Sequence, residues 1–341
     1  MEQRNPDPSD FRQMILSSPD QFAEGFRRAE GIRFPSHPGY TSIEISGMGG
    51  SALPGNILRI YLSDLAARGL LKERISVYQN RFYDLPWEAN RSLNVFASYS
   101  GNTEETIESF EAAIARKLPS IGISSGGRLE ALCLEHGIPH IKLPIPFENF
   151  QPRVGTGYFF AAIYQVLINE GLVPDTREEI LREAELLRSR AEAIEAAGKA
   201  LSEKCVSMTP VIYASPRYKS VAMVWKIKMN ENAKTPAFWN FFPELNHNEM
   251  IGYTNPQGKF LVIMLRDGED HPKNLKRFDV TAGLLRGKGI PVEMLDMEGE
   301  SVYYKVFASL LLGDFTSYHL ALRSGIDPTP VDMVEQLKKM L

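Results

Sequence analysis

The chain has 341 residues, of which 43% are hydrophobic and 23% are charged. This length predicts two domains, and the composition is that of an ordinary globular protein, which excludes a disordered chain, a collagen-like repeat and a coiled-coil rod. The net charge is only −4 and the isoelectric point is about 6.0. No basic surplus is available to neutralise a nucleic-acid backbone, so we expect no nucleic-acid partner. A single small anion needs only a few local donors.

The cysteine pattern and the first residues predict a cytoplasmic protein. Cys133 and Cys205 are far apart and lack metal-ligand spacing, which fits a reducing compartment and argues against a disulfide framework or a structural zinc site. The first eight residues, MEQRNPDP, are polar and interrupted by proline, which is not typical of a signal peptide. No apolar run approaches the roughly 18–20 residues that cross a bilayer, so we expect no membrane partner.

After a polar N-terminal segment, residues 1–20, the chain alternates short apolar strands with helices. Five strands are predicted first, at Ser42–Ser46, Ile75–Tyr78, Asn94–Ser98, Ser120–Ser124 and Ile141–Leu143. The helices between them are predicted from Ala52 to about Leu65, from Glu104 onward and up to His136. Strands that alternate with helices predict a parallel sheet with right-handed crossovers.

The same alternation restarts beyond a Pro-rich connector, Pro144–Phe147. Two long helices, Thr156–Leu172 and Arg177–Cys205, are followed by strands at Val211–Ala214, Phe260–Leu265 and Val292–Leu295 and helices at Tyr218–Asn230, Asn274–Leu285 and Tyr303–Arg323. We therefore predict an α/β fold of two tandem domains, 21–152 and 153–341, each a doubly wound, flavodoxin-like parallel sheet flanked by helices. The second copy has Ala214–Arg217 where the first has a glycine loop, so a phosphate site is expected in the first.

Three strand ends of the first domain carry glycine, serine or threonine: Gly47–Ser51, Ser98–Thr103 and Ser125–Arg128. Ligands of open parallel sheets bind beyond the carboxyl ends of the strands, where hydroxyls and glycine-freed N–H groups at a helix N-terminus hold anions. One such loop is more often a plain strand-to-helix turn, but three in one sheet favour a phosphate site. A dinucleotide fingerprint fits poorly and a GxxxxGK[ST] loop is absent. A phosphate monoester is therefore the favoured ligand.

A second polar patch lies in Asn230–Lys234 and Pro243–Glu249. His247 has more polar and acidic neighbours than the other histidines, and His37 and His140 are interpreted as structural. One histidine among scattered acids has no ligand spacing, so no metal is expected.

Three acids of this patch, Glu231, Glu244 and Glu249, are candidates for a general base, and their spacing does not choose among them. Glu231 lies at the end of a predicted helix, where the helix dipole disfavours a negative charge and so favours proton uptake.

Two motifs together resemble the sugar isomerase (SIS) domain: Gly47–Ser51 (GMGGS) and Ser98–Thr106 (SYSGNTEET). Further segments make the chain similar to the bifunctional phosphoglucose/phosphomannose isomerase family: Gly126–Leu129 (GGRL), Asn230–Lys234 (NENAK), Pro243–Glu249 (PELNHNE) and Leu337–Lys338. The resemblance extends from about Gln21 to Leu341 and includes the tandem layout, while the first twenty residues lie outside it.

The resemblance implies an aldose–ketose isomerase that interconverts glucose 6-phosphate, and mannose 6-phosphate, with fructose 6-phosphate through an enediolate. It implies no metal or redox cofactor. The implied phosphate site comprises Gly49, Gly50, Ser51, Ser98, Ser100 and Thr103. The implied catalytic groups are Arg128 at C1 and C2, Glu231 as the base, His247 for ring opening and Lys338 at the sugar ring.

The resemblance further implies a homodimer in which His247 reaches the site from the neighbouring subunit. Two alternatives stay open: a non-catalytic sugar-phosphate sensor of the same fold, and an isomerase of an amino-sugar phosphate. The joint presence of Glu231, His247 and Arg128 favours turnover over sensing.

Overall fold

The structure, a computed structural model, describes residues 6–35, 39–40 and 42–340, so His37 and the start of the polar N-terminal segment lie outside the described residues. Its chain forms two compact units. The first unit is Ser17–Leu186, and the second unit joins the residues up to Leu16, which include helix α1 (Phe11–Leu16), to those from Leu187 onward. The domain limits expected from the sequence, 21–152 and 153–341, follow the alternation of elements and stay a prediction.

The first unit contains a five-stranded parallel sheet. Its helices are α2 (Gln21–Ala29), α3 (Gly49–Ala67), α4 (Glu104–Ala115), α5 (Gly127–His136) and α6 (Thr156–Asn169). Its strands are β1 (Ser42–Gly47), β2 (Ser76–Asn80), β3 (Leu93–Ala97), β4 (Ser120–Ser124) and β5 (His140–Lys142). The strand order β2-β1-β3-β4-β5, with every neighbouring pair parallel, confirms the predicted flavodoxin-like topology.

Helices cover both faces of this sheet and shield the apolar side chains of its strands from water. All five residues of β3 and of β4 are buried, as expected of parallel strands that read as continuous apolar runs. On one face α3 packs against α6. On the other, Phe110 of α4 contacts Phe96 of β3 with ring centroids 4.9 Å apart, within an apolar cluster that also includes Leu129 of α5.

The second unit repeats this arrangement with four strands. Helix α7 (Arg177–Cys205) spans the limit between the units. The elements after it are β6 (Thr209–Ala214), α8 (Lys219–Glu231), β7 (Phe238–Phe241), β8 (Phe260–Arg266), α9 (Pro272–Gly287), β9 (Val292–Asp296), α10 (Val302–Arg323) and α11 (Asp332–Lys338). The order β7-β6-β8-β9, again all parallel, matches the first four strands of the first sheet.

Helices α1 and α2 and strand β7 were not predicted from the sequence. Phe11, Met14 and Ile15 of α1 have no exposed surface, and the Phe11 ring stacks on Tyr318 of α10 with centroids 6.4 Å apart. Apolar side chains therefore anchor α1 to the second unit. Among the helices of 6–35, 39–40 and 42–340, each is too short or too polar to span a membrane.

Candidate active site

Ser51 joins the glycine loop (Gly47–Ser51) to the hydroxyl loop (Ser98–Thr103). Gly49 and Gly50 open α3, and Ser51 lies in its first turn. Ser51 Oγ accepts a hydrogen bond from the backbone N–H of Tyr99 at 3.0 Å. Because Tyr99 follows β3, this hydrogen bond holds the loops after two neighbouring strands against each other.

Gly50 packs against the backbone of Pro152 and Arg153. A Cβ atom at Gly50 would lie 2.7 Å from the Arg153 nitrogen and from the Pro152 carbonyl carbon, so only glycine fits there. Arg153 is 2% exposed, and its Nη1 donates a hydrogen bond to Gln151 Oε1 at 2.7 Å. A buried arginine thus belongs to the segment that contacts the glycine loop. Arg153 was not identified from the sequence. The feature that could have indicated it is a basic residue between Phe150 and the apolar helix α6.

Ser98 is the centre of the hydroxyl loop. Its side chain has no exposed surface, its Oγ lies 2.8 Å from Thr103 Oγ1, and it accepts a hydrogen bond from the N–H of Gly101 at 3.1 Å. Ser100 Oγ accepts from the N–H of Asn102 at 3.2 Å. These hydroxyls surround the N-terminus of α4, where free N–H groups and the helix dipole favour a bound anion.

Arg128 lies at the surface in the arginine loop (Ser125–Arg128). Its side chain is 60% exposed, and Nη2 is 2.6 Å from Oε1 of Glu111. The backbone N–H of Arg128 donates to Asn102 Oδ1 at 2.9 Å, which ties the arginine loop to the hydroxyl loop. An exposed ion pair stabilises by only about 0.2–1 kcal/mol, so the guanidinium can leave Glu111 at little cost.

Glu231 and His247 lie at opposite ends of the second sheet. Helix α8 connects the parallel strands β6 and β7 and therefore runs antiparallel to them. Glu231 is the last residue of α8, towards the amino ends of the strands, whereas the exposed His247 follows β7, towards their carboxyl ends. Thirteen helical residues measure about 20 Å. The two side chains of one chain are therefore not placed to act on the same atoms.

Lys234 connects Glu231 to the C-terminal segment. Its Nζ donates hydrogen bonds to the carbonyl oxygens of Glu231 and Pro328, each at 2.8 Å. Pro328 precedes α11, whose last residue, Lys338, is 64% exposed and pairs with Glu335 at 2.7 Å. The structure thus brings Glu231 together with the segment that leads to Lys338 and leaves His247 at the other end.

The two other candidate acids differ in how their oxygens are engaged. Glu249 accepts hydrogen bonds at both oxygens, from the hydroxyl of Tyr213 at 2.6 Å and from Asn240 Nδ2 at 2.5 Å. Glu244 is exposed and accepts one hydrogen bond, from Asn248 Nδ2 at 2.6 Å. Both oxygens of Glu249 are thus engaged by neighbouring side chains, whereas Glu244 has one described hydrogen bond.

An internal ion pair lies at the carboxyl end of β8, the strand of the second sheet that corresponds to β3. Lys305 of α10 and Asp267 are 4% and 1% exposed, and their Nζ and Oδ1 atoms are 2.8 Å apart. The hydroxyl of Tyr218 donates to Asp267 Oδ2 at 2.6 Å. Burial acts to raise the pKa of Asp267, but the hydrogen bonds from Lys305 and Tyr218 outweigh it and lower that pKa. A carboxylate therefore stands where the first unit has hydroxyl groups.

Comparison with known proteins matches residues 194–341 to the bacterial phospho-glucose isomerase C-terminal SIS domain. A bifunctional phosphoglucose/phosphomannose isomerase of Caldicellulosiruptor bescii is 35% identical over 311 residues, 88% of this chain and 89% of the relative. One from Aquifex aeolicus is 33% identical over 306 residues, 89% of this chain and 91% of the relative. In fold, the chain resembles the C-terminal domain of glucosamine-fructose-6-phosphate aminotransferase from Francisella tularensis, with a TM-score of 0.71, 16% identity and coverage of 94% and 98%.

Proposed function

This chain belongs to the bifunctional phosphoglucose/phosphomannose isomerase family, and we propose that it interconverts glucose 6-phosphate and mannose 6-phosphate with fructose 6-phosphate through an enediolate. The observation that carries the proposal is its 35% identity to a relative of that name over 88% of the chain. Such a reaction needs a phosphate anchor, acid–base ring opening, one base and a positive charge near the enediolate.

In this proposal the glycine and hydroxyl loops hold the 6-phosphate. Ser51, Ser98, Ser100 and Thr103 donate hydroxyl hydrogen bonds, while Gly49 and Gly50 leave backbone N–H groups accessible to the phosphate oxygens. The support is positional, because these residues lie at the carboxyl ends of β1 and β3 and at the N-termini of α3 and α4. Ser98 and Thr103 now bond to each other, and rotation of either hydroxyl frees a donor for the anion.

Glu231 is the proposed base that moves the proton between C1 and C2, a role that contributes roughly 10²–10⁴-fold. The hydrogen bonds that engage both oxygens of Glu249 support this choice. Lys338 is the proposed contact to the sugar ring, and the link from Glu231 through Lys234 to Pro328 supports its pairing with the base.

Two arginines are proposed candidates for the positive charge at the enediolate. Arg128 holds the position that the family resemblance implies. Arg153 is supported by its burial and by the contact of its backbone with Gly50. A buried guanidinium acts on developing charge more strongly than an exposed one, because the effective dielectric constant around it is lower.

We propose that the enzyme is a homodimer in which each site takes His247, the ring-opening histidine, from the neighbouring subunit. The support is the topology of the second sheet, since Glu231 and His247 of one chain lie at its opposite ends. In a two-fold dimer, Glu231 of one subunit can meet His247 of the other without any change in fold.

The proposed setting is the cytoplasm, with sugar phosphates as partners and no metal or redox cofactor. Cys133 and Cys205 are both free and buried, and free thiols are typical of a reducing compartment.

The test is a coupled assay on the EDTA-treated, dialysed protein, with glucose 6-phosphate, mannose 6-phosphate and glucosamine 6-phosphate as separate substrates. We expect the first two to yield fructose 6-phosphate at a rate that EDTA does not change. Binding of all three by calorimetry without turnover would instead identify a sensor. Turnover of glucosamine 6-phosphate alone would identify an amino-sugar enzyme.

A further inference from the structure

Glu44 is a carboxyl group buried in the middle of the first sheet. It lies in β1, has no exposed surface, and is three residues before Gly47, where the glycine loop begins. Ile45 faces α3, since a Cβ atom at Gly55 would lie 3.1 Å from its Cδ1. Alternate residues of a strand point to opposite faces. Glu44 therefore points to the face that α4 covers.

A chain of hydrogen bonds links Glu44 to α4. Ser46 Oγ donates to Glu44 Oε1 at 3.0 Å and accepts from Asn80 Nδ2 at 3.3 Å. The same Asn80 nitrogen lies 3.3 Å from Oγ of Ser109, which is on α4. The carboxyl group thus belongs to one polar cluster with β2 and with the helix whose N-terminus carries the hydroxyl loop.

The cluster lacks one donor. Glu44 Oε2 and Asn94 Oδ1 are buried without a hydrogen-bond partner among the described residues, and Glu44 and Asn94 are neighbours in the register of β1 and β3. The Asn94 amide nitrogen lies within hydrogen-bond distance of the carbonyl oxygens of Ala89, Ser92 and Pro119, which fixes its orientation. Both oxygens are acceptors, so a proton on Glu44 supplies the donor that this site needs.

Among the residues that the structure describes, no cation is paired with Glu44. The titratable groups on the elements around it are Tyr78 on β2, Arg81, Tyr83 and Asp84 in the loop after β2, Glu88 and Arg91 between β2 and β3, and Glu104, Glu105, Glu108 and Glu111 on α4. Within the described residues, none of these side chains forms a hydrogen bond or ion pair with Glu44. Burial raises the pKa of Glu44 to about 8, against the opposing hydrogen bonds of the Ser46 hydroxyl and the Asn80 backbone.

We propose that Glu44 is a neutral carboxylic acid in the working enzyme and a positioning residue for the phosphate site, whose affinity falls when Glu44 ionises. This inference rests on the proposed function only for the identity of the phosphate ligand. Three strand residues span about 10 Å. A unit charge at that distance, at an effective dielectric constant of about 20, weakens binding of each phosphate charge by roughly tenfold.

The first test compares KM for fructose 6-phosphate between about pH 7 and pH 9.5 in the wild type, in Glu44→Gln and in the surface control Glu73→Gln. We expect KM of the wild type and of the control to rise roughly tenfold or more above about pH 8, while Glu44→Gln shows no such rise. The conservative amide keeps the shape and hydrogen bonding of the neutral acid, so a purely structural role predicts no difference in pH profile. Equal rises in all three proteins would overturn the proposal.

The second test needs no substrate and so remains valid if the isomerase assignment fails. Folding raises the pKa of the Glu44 carboxyl group from 4.5 to about 8. Between about pH 4.5 and pH 8, the native state therefore binds one more proton than the unfolded state. Its stabilisation is complete below about pH 4.5 and is lost as the pH rises through about 8. Relative to Glu44→Gln, the unfolding equilibrium constant of the wild type should rise by about tenfold per pH unit in this window. Parallel pH dependences would contradict a neutral Glu44.

Should Glu44→Gln not fold, infrared spectroscopy of the wild type provides a further test. A carbonyl stretch of a protonated carboxyl group should be present at about pH 7 and absent at about pH 9.5. Its absence at neutral pH would likewise overturn the proposal.

Discussion

Replacement of Gly101 by alanine tests how closely the hydroxyl and arginine loops must approach. Gly101 has φ of +72°, and a Cβ atom on it would lie 1.8 Å from the carbonyl oxygen of Gly126. Real Cβ contacts essentially never fall below 3.0 Å, so the loops must separate by at least about 1.2 Å. The left-handed backbone costs an alanine about 1–2 kcal/mol, and overpacking adds about 1–3 kcal/mol. We expect Gly101→Ala to lose about 2–5 kcal/mol of unfolding free energy.

Gly137→Ala is the matched control for this substitution. Gly137 ends α5 with φ of +63°, and an added Cβ would meet nothing within 4 Å. It should therefore lose only the backbone part, about 1–2 kcal/mol. Urea denaturation measures both losses, and steady-state kinetics measures the effect on the site.

A misplacement of about 1 Å at a binding loop can cost about 10²-fold in rate. We expect kcat/KM for fructose 6-phosphate to fall by that order in Gly101→Ala and to stay within about threefold of wild type in Gly137→Ala. Equal losses of stability and equal kinetics in the two variants would refute the argument from loop contact.

Lysine variants test which of the two arginines supplies the positive charge at the enediolate. Arg153→Lys should lower kcat by roughly tenfold or more, because an ammonium group does not replace a planar, buried guanidinium, and Arg128→Lys should lower kcat less. The reverse order, measured by initial rates, would return the role to Arg128. Glu231→Gln should lower kcat by roughly 10²-fold or more with little change in the affinity of a substrate analogue, and near-normal turnover would shift the base to Glu244. Glu231→Gln chains refolded together with His247→Ala chains should recover about a quarter of wild-type activity, because about half of the dimers are mixed and each has one intact site. No recovery after verified subunit exchange would place both groups in one chain or remove His247 from the reaction.

The first sheet could be predicted strand by strand because each strand is a short apolar run that ends in small or polar residues. β7 could not. It lies at the edge of the second sheet, where Phe238 is exposed and the other three residues are only partly buried. Pro236 precedes it closely and Asn240 interrupts it, so it shows neither a continuous apolar run nor alternation. α1 was missed for a related reason. Its few apolar residues pack against α10, which is about 300 residues away in the sequence, so the local sequence alone gives little sign of the helix.

The residues of the candidate site could likewise be predicted only where a local motif indicates them. Local motifs indicated Ser51, Ser98 and Thr103 because glycine and hydroxyl residues follow the strands directly. Arg153 gave no comparable signal, since its proposed role depends on a backbone contact with Gly50. Glu231 and His247 are close in sequence, and only the presence of β7 between them shows that they lie at opposite ends of the sheet.

The buried pair of Lys305 and Asp267 constrains how this chain can change over evolution. Loss of Lys305 leaves the buried Asp267 carboxylate without its cation and costs about 3–5 kcal/mol, a large part of the roughly 5–15 kcal/mol that keeps a protein folded. Loss of Asp267 costs less, because Lys305 Nζ also lies 3.1 Å from Oε2 of Glu269. Joint replacement by apolar residues of similar volume is close to neutral. The two positions are therefore expected to covary among homologues, with the lysine retained wherever the aspartate is. A lineage that loses the lysine first has to pass through an intermediate sequence that depends on stabilising substitutions elsewhere in the second unit.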